Sequence, residues 1–120
     1  MSERRIAIFG AGYVGLVTAA CFAKLGHRVA VREIDPDKVE LLRSGRVPIH
    51  EPGLDTLLAD HRDRLSFTLD VTEALEGAEV VYICVDTPPS ASGDADLSRV
   101  WSVLEVLDGA AHVRAVVTKS

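Results

Sequence analysis

Short apolar runs alternate along the chain with longer stretches in which apolar residues recur every three or four positions. The former read as strands and the latter as amphipathic helices, and their alternation predicts an α/β fold with a parallel sheet covered by helices on both faces. RIAIF (5–9) predicts the first strand, and the stretch from Tyr13 to Leu25 a helix that stops at Gly26. HRVAVRE (27–33) predicts the second strand; PDKVELLRSG (36–45) follows as a helix, with Pro36 in its first turn and Gly45 past its end. GLDTLLADH (53–61) reads as a short helix, LSFTL (65–69) as a third strand, and VTEALEGA (71–78) as a short helix capped by Thr72.

EVVYICV (79–85) is apolar without alternation, the pattern of a strand covered on both faces. DLSRVWSVLEVLDGA (96–110) predicts an amphipathic helix that turns Leu97, Val100, Trp101, Leu104 and Leu107 toward the core. RAVVTKS (114–120) begins a fifth strand, so the pattern predicts one domain over residues 1–120 that is incomplete, truncated after that strand.

Composition narrows the function classes. With 48% hydrophobic and 26% charged residues in 120, the chain has the make-up of one globular domain with a sizeable core. Thirteen basic against eighteen acidic residues give a net charge of -5 without a Lys/Arg cluster beyond ERR at the start, which argues against a nucleic-acid partner and for a small molecule. The N-terminal apolar run is interrupted by glycines and lacks a cleavage pattern, and no stretch approaches a membrane span; a cytoplasmic location without membrane partners is the expectation.

Cys21 and Cys84 have neither CxxC spacing nor a nearby Cys/His set, so no metal is expected and both read as small core residues. His27, His50, His61 and His112 fall at turns, a loop and a helix end without a paired carboxylate. They read as solvent-facing, and spacing nominates no catalytic residue.

The candidate chemistry lies between the first strand and the first helix, in Gly10-Ala11-Gly12-Tyr13-Val14-Gly15. In a strand–turn–helix unit the first glycine permits the tight turn, the second lets backbone approach a pyrophosphate, and the third allows close packing of the helix. Helix-start amides and the positive end of the helix dipole then attract the anion. Glu33 ends the second apolar run roughly 20 residues downstream, where a carboxylate accepts from both hydroxyls of an adenosine ribose and repels a 2′-phosphate. NAD is therefore expected over NADP. Lys38 is placed to reach back over the ribose, and VDTPP (85–89) follows the fourth strand as a stiff loop at the ligand edge of the sheet.

Four stretches together, GAGYVGLVTAACFAKLGH, PIHEPGLDTLL, VDTPP with GDADLSRV, and VVTKS, carry a more specific signal. Through them essentially the whole chain resembles the N-terminal NAD-binding domain of the nucleotide-sugar dehydrogenases, the UDP-glucose/GDP-mannose dehydrogenase family, nearest to members that oxidise UDP-glucose. The resemblance implies a Rossmann-type, doubly wound sheet and oxidation of a sugar-nucleotide primary alcohol to the carboxylate, in two hydride transfers to NAD through a cysteine-bound intermediate. It places the phosphate loop at Gly10 to Gly15, the ribose acid at Glu33 and Lys38 near the ribose. Val85, Thr87 and Pro88 border the nicotinamide, Ser120 starts the next cofactor loop, and Glu51 shapes a loop near the active site.

Departures from the family pattern are Glu33 for a more usual aspartate, His50 for tyrosine, and Asp86 for a small residue; a carboxylate at Asp86 would favour the cationic, oxidised nicotinamide. The family's catalytic cysteine and lysine, its sugar domain and the central helix of its homodimer all fall beyond residue 120. By resemblance this chain is the cofactor portion of an enzyme, inactive alone and dimeric only with the missing part. A GDP-mannose or UDP-N-acetyl-sugar dehydrogenase, and a non-catalytic NAD-sensing module, stay open as alternatives.

Overall fold

A computed structural model of the chain describes residues 3–49, 51–85, 97–107 and 112–119. Among these, β1 (Arg5–Phe9), β2 (Arg28–Arg32), β3 (Leu65–Thr68), β4 (Val80–Ile83) and β5 (Ala115–Thr118) form one sheet in the order β3-β2-β1-β4-β5. Every pairing is parallel; Phe9 stands opposite Arg32 on one side and Ile83 on the other. From β1 the chain therefore winds outward one way through β2 and β3, then returns to wind the other way through β4 and β5. The helix-covered parallel sheet is the one that the alternation predicts, and its strand order is the Rossmann-like arrangement that the resemblance implies.

Helices α1 (Tyr13–Lys24), α2 (Pro36–Arg43) and α3 (Leu54–Asp60) cover one face. Their Leu16, Ala19, Ala20, Val39, Leu42, Leu54 and Leu58 enclose Ile6, Ile8, Val29 and Val31 of the central strands. Small residues on the buried stripe of α1 let its backbone lie close to the sheet. Asp35 starts α2 by accepting from the Asp37 N–H at 3.0 Å, with Pro36 pre-set for the first turn. On the other face α4 (Val71–Leu75) and α5 (Ser98–Leu107) supply Leu75 and Val103, which pack with Ala7, Phe9, Val81 and Ile83. Ile8 on one face and Phe9 on the other are wholly enclosed, so β1 is covered on both sides, whereas β4 buries Val81 and Ile83 on the α5 side and leaves Val80 and Tyr82 half-buried.

Several expectations need correction. The cap of α4 is Asp70, whose extended backbone lets its carboxylate accept from the Thr72 N–H at 2.9 Å; Thr72 already lies inside the first turn. In α5 the residues that meet the core are Val103, fully buried, with Val100 and Leu107 beside it. Leu97, Trp101 and Leu104 form an exposed flank instead, and Trp101 is 62% exposed. The reason is rotational: residues 100, 103 and 107 fit the inward face of the helix, and the larger apolar side chains lie a quarter turn away.

Cys21 is exposed on α1, whereas Cys84 is buried as expected. His27 is buried, its Nδ1 accepting from the Arg4 N–H at 3.1 Å and its ring edge-on to Phe22. His112 is exposed and keeps to the surface, its Nε2 lying 2.8 Å from the Leu75 carbonyl. His50 lies outside the described residues.

Candidate functional site

The point where the winding reverses, between the carboxyl ends of β1 and β4, opens a cleft of about 390 Å³. In open α/β sheets this is where ligands bind, because adjacent connections run to opposite faces and leave a gap. Its floor is Phe9, Gly10, Ala11 and Gly12 after β1, with Cys84 and Val85 after β4. One wall comes from Arg32, Glu33, Ile34 and Lys38 at the end of β2 and in α2, and the other from Val71, Arg99, Ser102, Val103 and Val106.

The loop between β1 and α1 is set by contacts that exclude side chains. Gly10 continues the β1–β2 ladder by donating to the Arg32 carbonyl at 2.8 Å, then turns at φ 106°, in the region that favours glycine. A Cβ on it would stand 2.6 Å from the Cys84 carbonyl oxygen. A Cβ on Gly15 would stand 1.8 Å from the Gly10 carbonyl oxygen, so the third glycine lets the helix close on its own loop, and its approach to β4 is ordinary contact. Gly12 caps α1 in an extended conformation that any residue adopts, so its backbone angles alone do not require a glycine. No side chain caps α1 and no acid stands in its first turn, so its amide end is left to an anion.

Glu33 lies across from this loop with its side chain 11% exposed. One carboxylate oxygen, Oε1, accepts from the Ala11 N–H and the other, Oε2, from the Asp35 N–H, each at 3.0 Å. The Lys38 ammonium is 4.0 Å from Oε1. A negative charge is thus held at the end of β2, beside the anion-attracting loop. Cys84 lies beneath, and burial pushes its thiol above the usual range, with the positive charge of Lys119 partly opposing.

Of the residues singled out in the sequence, Gly10, Ala11, Gly12, Glu33, Lys38 and Val85 converge on the cleft. Gly15 is buried behind the loop, Tyr13 is exposed and Val14 is half-buried in the first turn of α1. Asp86, Thr87, Pro88 and Ser120 lie outside the described residues. Glu51 does not line the cleft; its main-chain carbonyl accepts from the Leu54 N–H at the start of α3. Sequence reasoning missed the wall from α5. Its signal is the trio Arg99, Ser102 and Val106, which share one flank of a helix whose inward face is Val100, Val103 and Leu107.

Glycines that admit backbone contact, an uncapped helix start, a carboxylate one strand away and walls that mix valines with charged and polar groups fit a dinucleotide. Comparison with known proteins agrees: a sequence model of the NAD binding domain of the UDP-glucose/GDP-mannose dehydrogenase family matches residues 4–120. The chain belongs to this family. NAD is accordingly the cofactor of this NAD-binding domain.

The UDP-glucose 6-dehydrogenase of Pseudomonas aeruginosa is 52% identical over 105 residues, covering 86% of this chain and 23% of that protein. The GDP-mannose 6-dehydrogenase of the same organism is 44% identical over 101 residues, 82% of this chain and 23% of that one. Among solved structures, a UDP-glucose dehydrogenase from the hyperthermophilic archaeon Pyrobaculum islandicum superposes with a TM-score of 0.91 at 38% identity, covering 99% of this chain and 29% of its own. The chain therefore spans about a quarter of the length of these relatives.

Proposed function

We propose that this chain is the cofactor-holding part of an enzyme that oxidises UDP-glucose to UDP-glucuronate, the sugar's primary alcohol passing two hydrides in turn to two NAD molecules while water supplies the second carboxylate oxygen. Identity favours that substrate, 52% to a UDP-glucose 6-dehydrogenase against 44% to a GDP-mannose 6-dehydrogenase of one organism. NAD supplies the hydride acceptor when bound; the residues here bind and orient it. The pairing of an uncapped glycine loop with the Glu33 carboxylate, both in one cleft, is the observation that carries the reading.

In this proposal Gly10, Ala11, Gly12, Tyr13, Val14 and Gly15 form the pyrophosphate loop, Glu33 accepts from the adenosine ribose hydroxyls, and Lys38 approaches the same ribose. Val85, Asp86, Thr87, Pro88 and Ser120 serve the nicotinamide end. The catalytic groups, the sugar site and the dimer contacts belong to parts of the protein outside residues 1–120, and this portion alone is inactive.

Calorimetric titration tests the cofactor assignment. NAD should bind more tightly than NADP, and Glu33→Ala should weaken NAD by about 1–3 kcal/mol, the worth of charge-assisted hydrogen bonds, with a smaller loss for NADP. Equal losses would take Glu33 out of the ribose site. The substrate is tested on the full-length protein by NADH formation with UDP-glucose and with GDP-mannose; turnover of GDP-mannose alone would reverse that choice.

A further inference from the structure

Glu33 reaches further than a ribose acceptor needs to. Its Oε1 takes the Ala11 N–H in the middle of the glycine loop, and Ala11 is wholly enclosed, so this amide has no water to turn to. Its Oε2 takes the Asp35 N–H, and its main-chain N–H donates to the Thr68 carbonyl of β3 at 3.0 Å. One residue thus ties the phosphate loop to β3 and to the start of α2. A buried amide deprived of its acceptor is costly, and the loop would shift to find another.

The two oxygens of a carboxylate have about four acceptor positions between them. Two are taken by Ala11 and Asp35, and two are left for a pair of hydroxyls. The same group can therefore hold the loop and receive a ribose without surrendering either bond.

We propose that Glu33 is a positioning residue for the glycine loop, so that recognition of the adenosine ribose and of the pyrophosphate are coupled through one carboxylate. This rests on the cofactor reading above and adds a role that no ribose contact implies. It also assigns a use to the length of the glutamate: an aspartate, one methylene shorter, would withdraw from Ala11 by about a carbon–carbon bond length.

The first test needs no ligand. In the full-length protein, hydrogen exchange at the Ala11 amide should quicken about tenfold or more in Glu33→Asp and in Glu33→Ala, while exchange in β1 stays as in the wild type. Exchange at Ala11 unchanged in Glu33→Asp overturns the proposal, and that variant keeps the charge and so guards against a fold lost in Glu33→Ala.

The second test compares NAD with an analogue lacking the 2′ and 3′ hydroxyls of its adenosine ribose. A residue acting only through those hydroxyls would leave the affinity of the analogue untouched when replaced. The positioning role predicts that Glu33→Ala weakens the analogue too, by about tenfold. An unchanged analogue affinity overturns the proposal while NAD binding stands, and failure of the wild type to bind NAD overturns the cofactor reading while the Ala11 exchange still decides the loop contact.

Discussion

Cys84 follows β4 with its side chain buried against the glycine loop, whereas Cys21 lies on the exposed side of α1. Burial disfavours the thiolate and raises the Cys84 value, and Lys119 only partly offsets it. In the unfolded chain the thiol keeps its ordinary value of 9.0. Folding stability at this residue is therefore unaffected below that pH and falls as pH rises through it toward the higher folded value, because the unfolded state releases its proton first. A Cys84→Ala variant should lack that alkaline loss, as read from urea midpoints at neutral and alkaline pH. At neutral pH a thiol reagent should modify Cys21 in the native chain and Cys84 only after denaturant is added. Rapid modification of both would mean that the β4 end opens readily.

At the scale of elements, α5 has two dissimilar flanks. Val103 meets Phe9, Val81 and Ile83, and the Arg99–Ser102–Val106 side borders the cleft, while Trp101 stands outside. Val103→Ala should destabilise the fold by about 1–3 kcal/mol, and Trp101→Ser should stay within about 0.5 kcal/mol of the wild type. Urea denaturation separates the two, and a larger loss at Trp101 would return that residue to the core.

The contrast also explains what could be read from sequence. The β1–loop–α1 unit is local, so its glycines and apolar run give it away. Glu33 was readable because the loop and the acid sit at the ends of two consecutive strands. Which side of α5 faces inward depends on how the helix lies across β1 and β4, and its apolar residues run so far around the cylinder that periodicity favoured the larger ones. The Ala11–Glu33 bond was hidden for a related reason. It needs the register that sets Phe9 opposite Arg32, a property of pairing that no local pattern carries.

For the molecule as a whole, the cleft gathers residues from the ends of β1 and β2, from the segment after β4, and from α2, α4 and α5. A ligand bound only by the folded form should therefore stabilise the entire domain, by about 2.7 kcal/mol at a concentration a hundredfold above its Kd. Melting with and without NAD measures this in the full-length protein. A transition that does not move at saturating NAD would mean that the cleft and the sheet melt independently.

The strand order carries a further consequence, for the nascent chain. β1 is made before β2 and β4, yet it lies between them, and one of its edges waits for β4. At roughly 5–20 residues per second the ribosome leaves the N–H and C=O groups of that edge unpartnered for seconds. β1 is then open to mispairing, and slowing translation between residues 32 and 80 should raise the fraction of chain lost to aggregation.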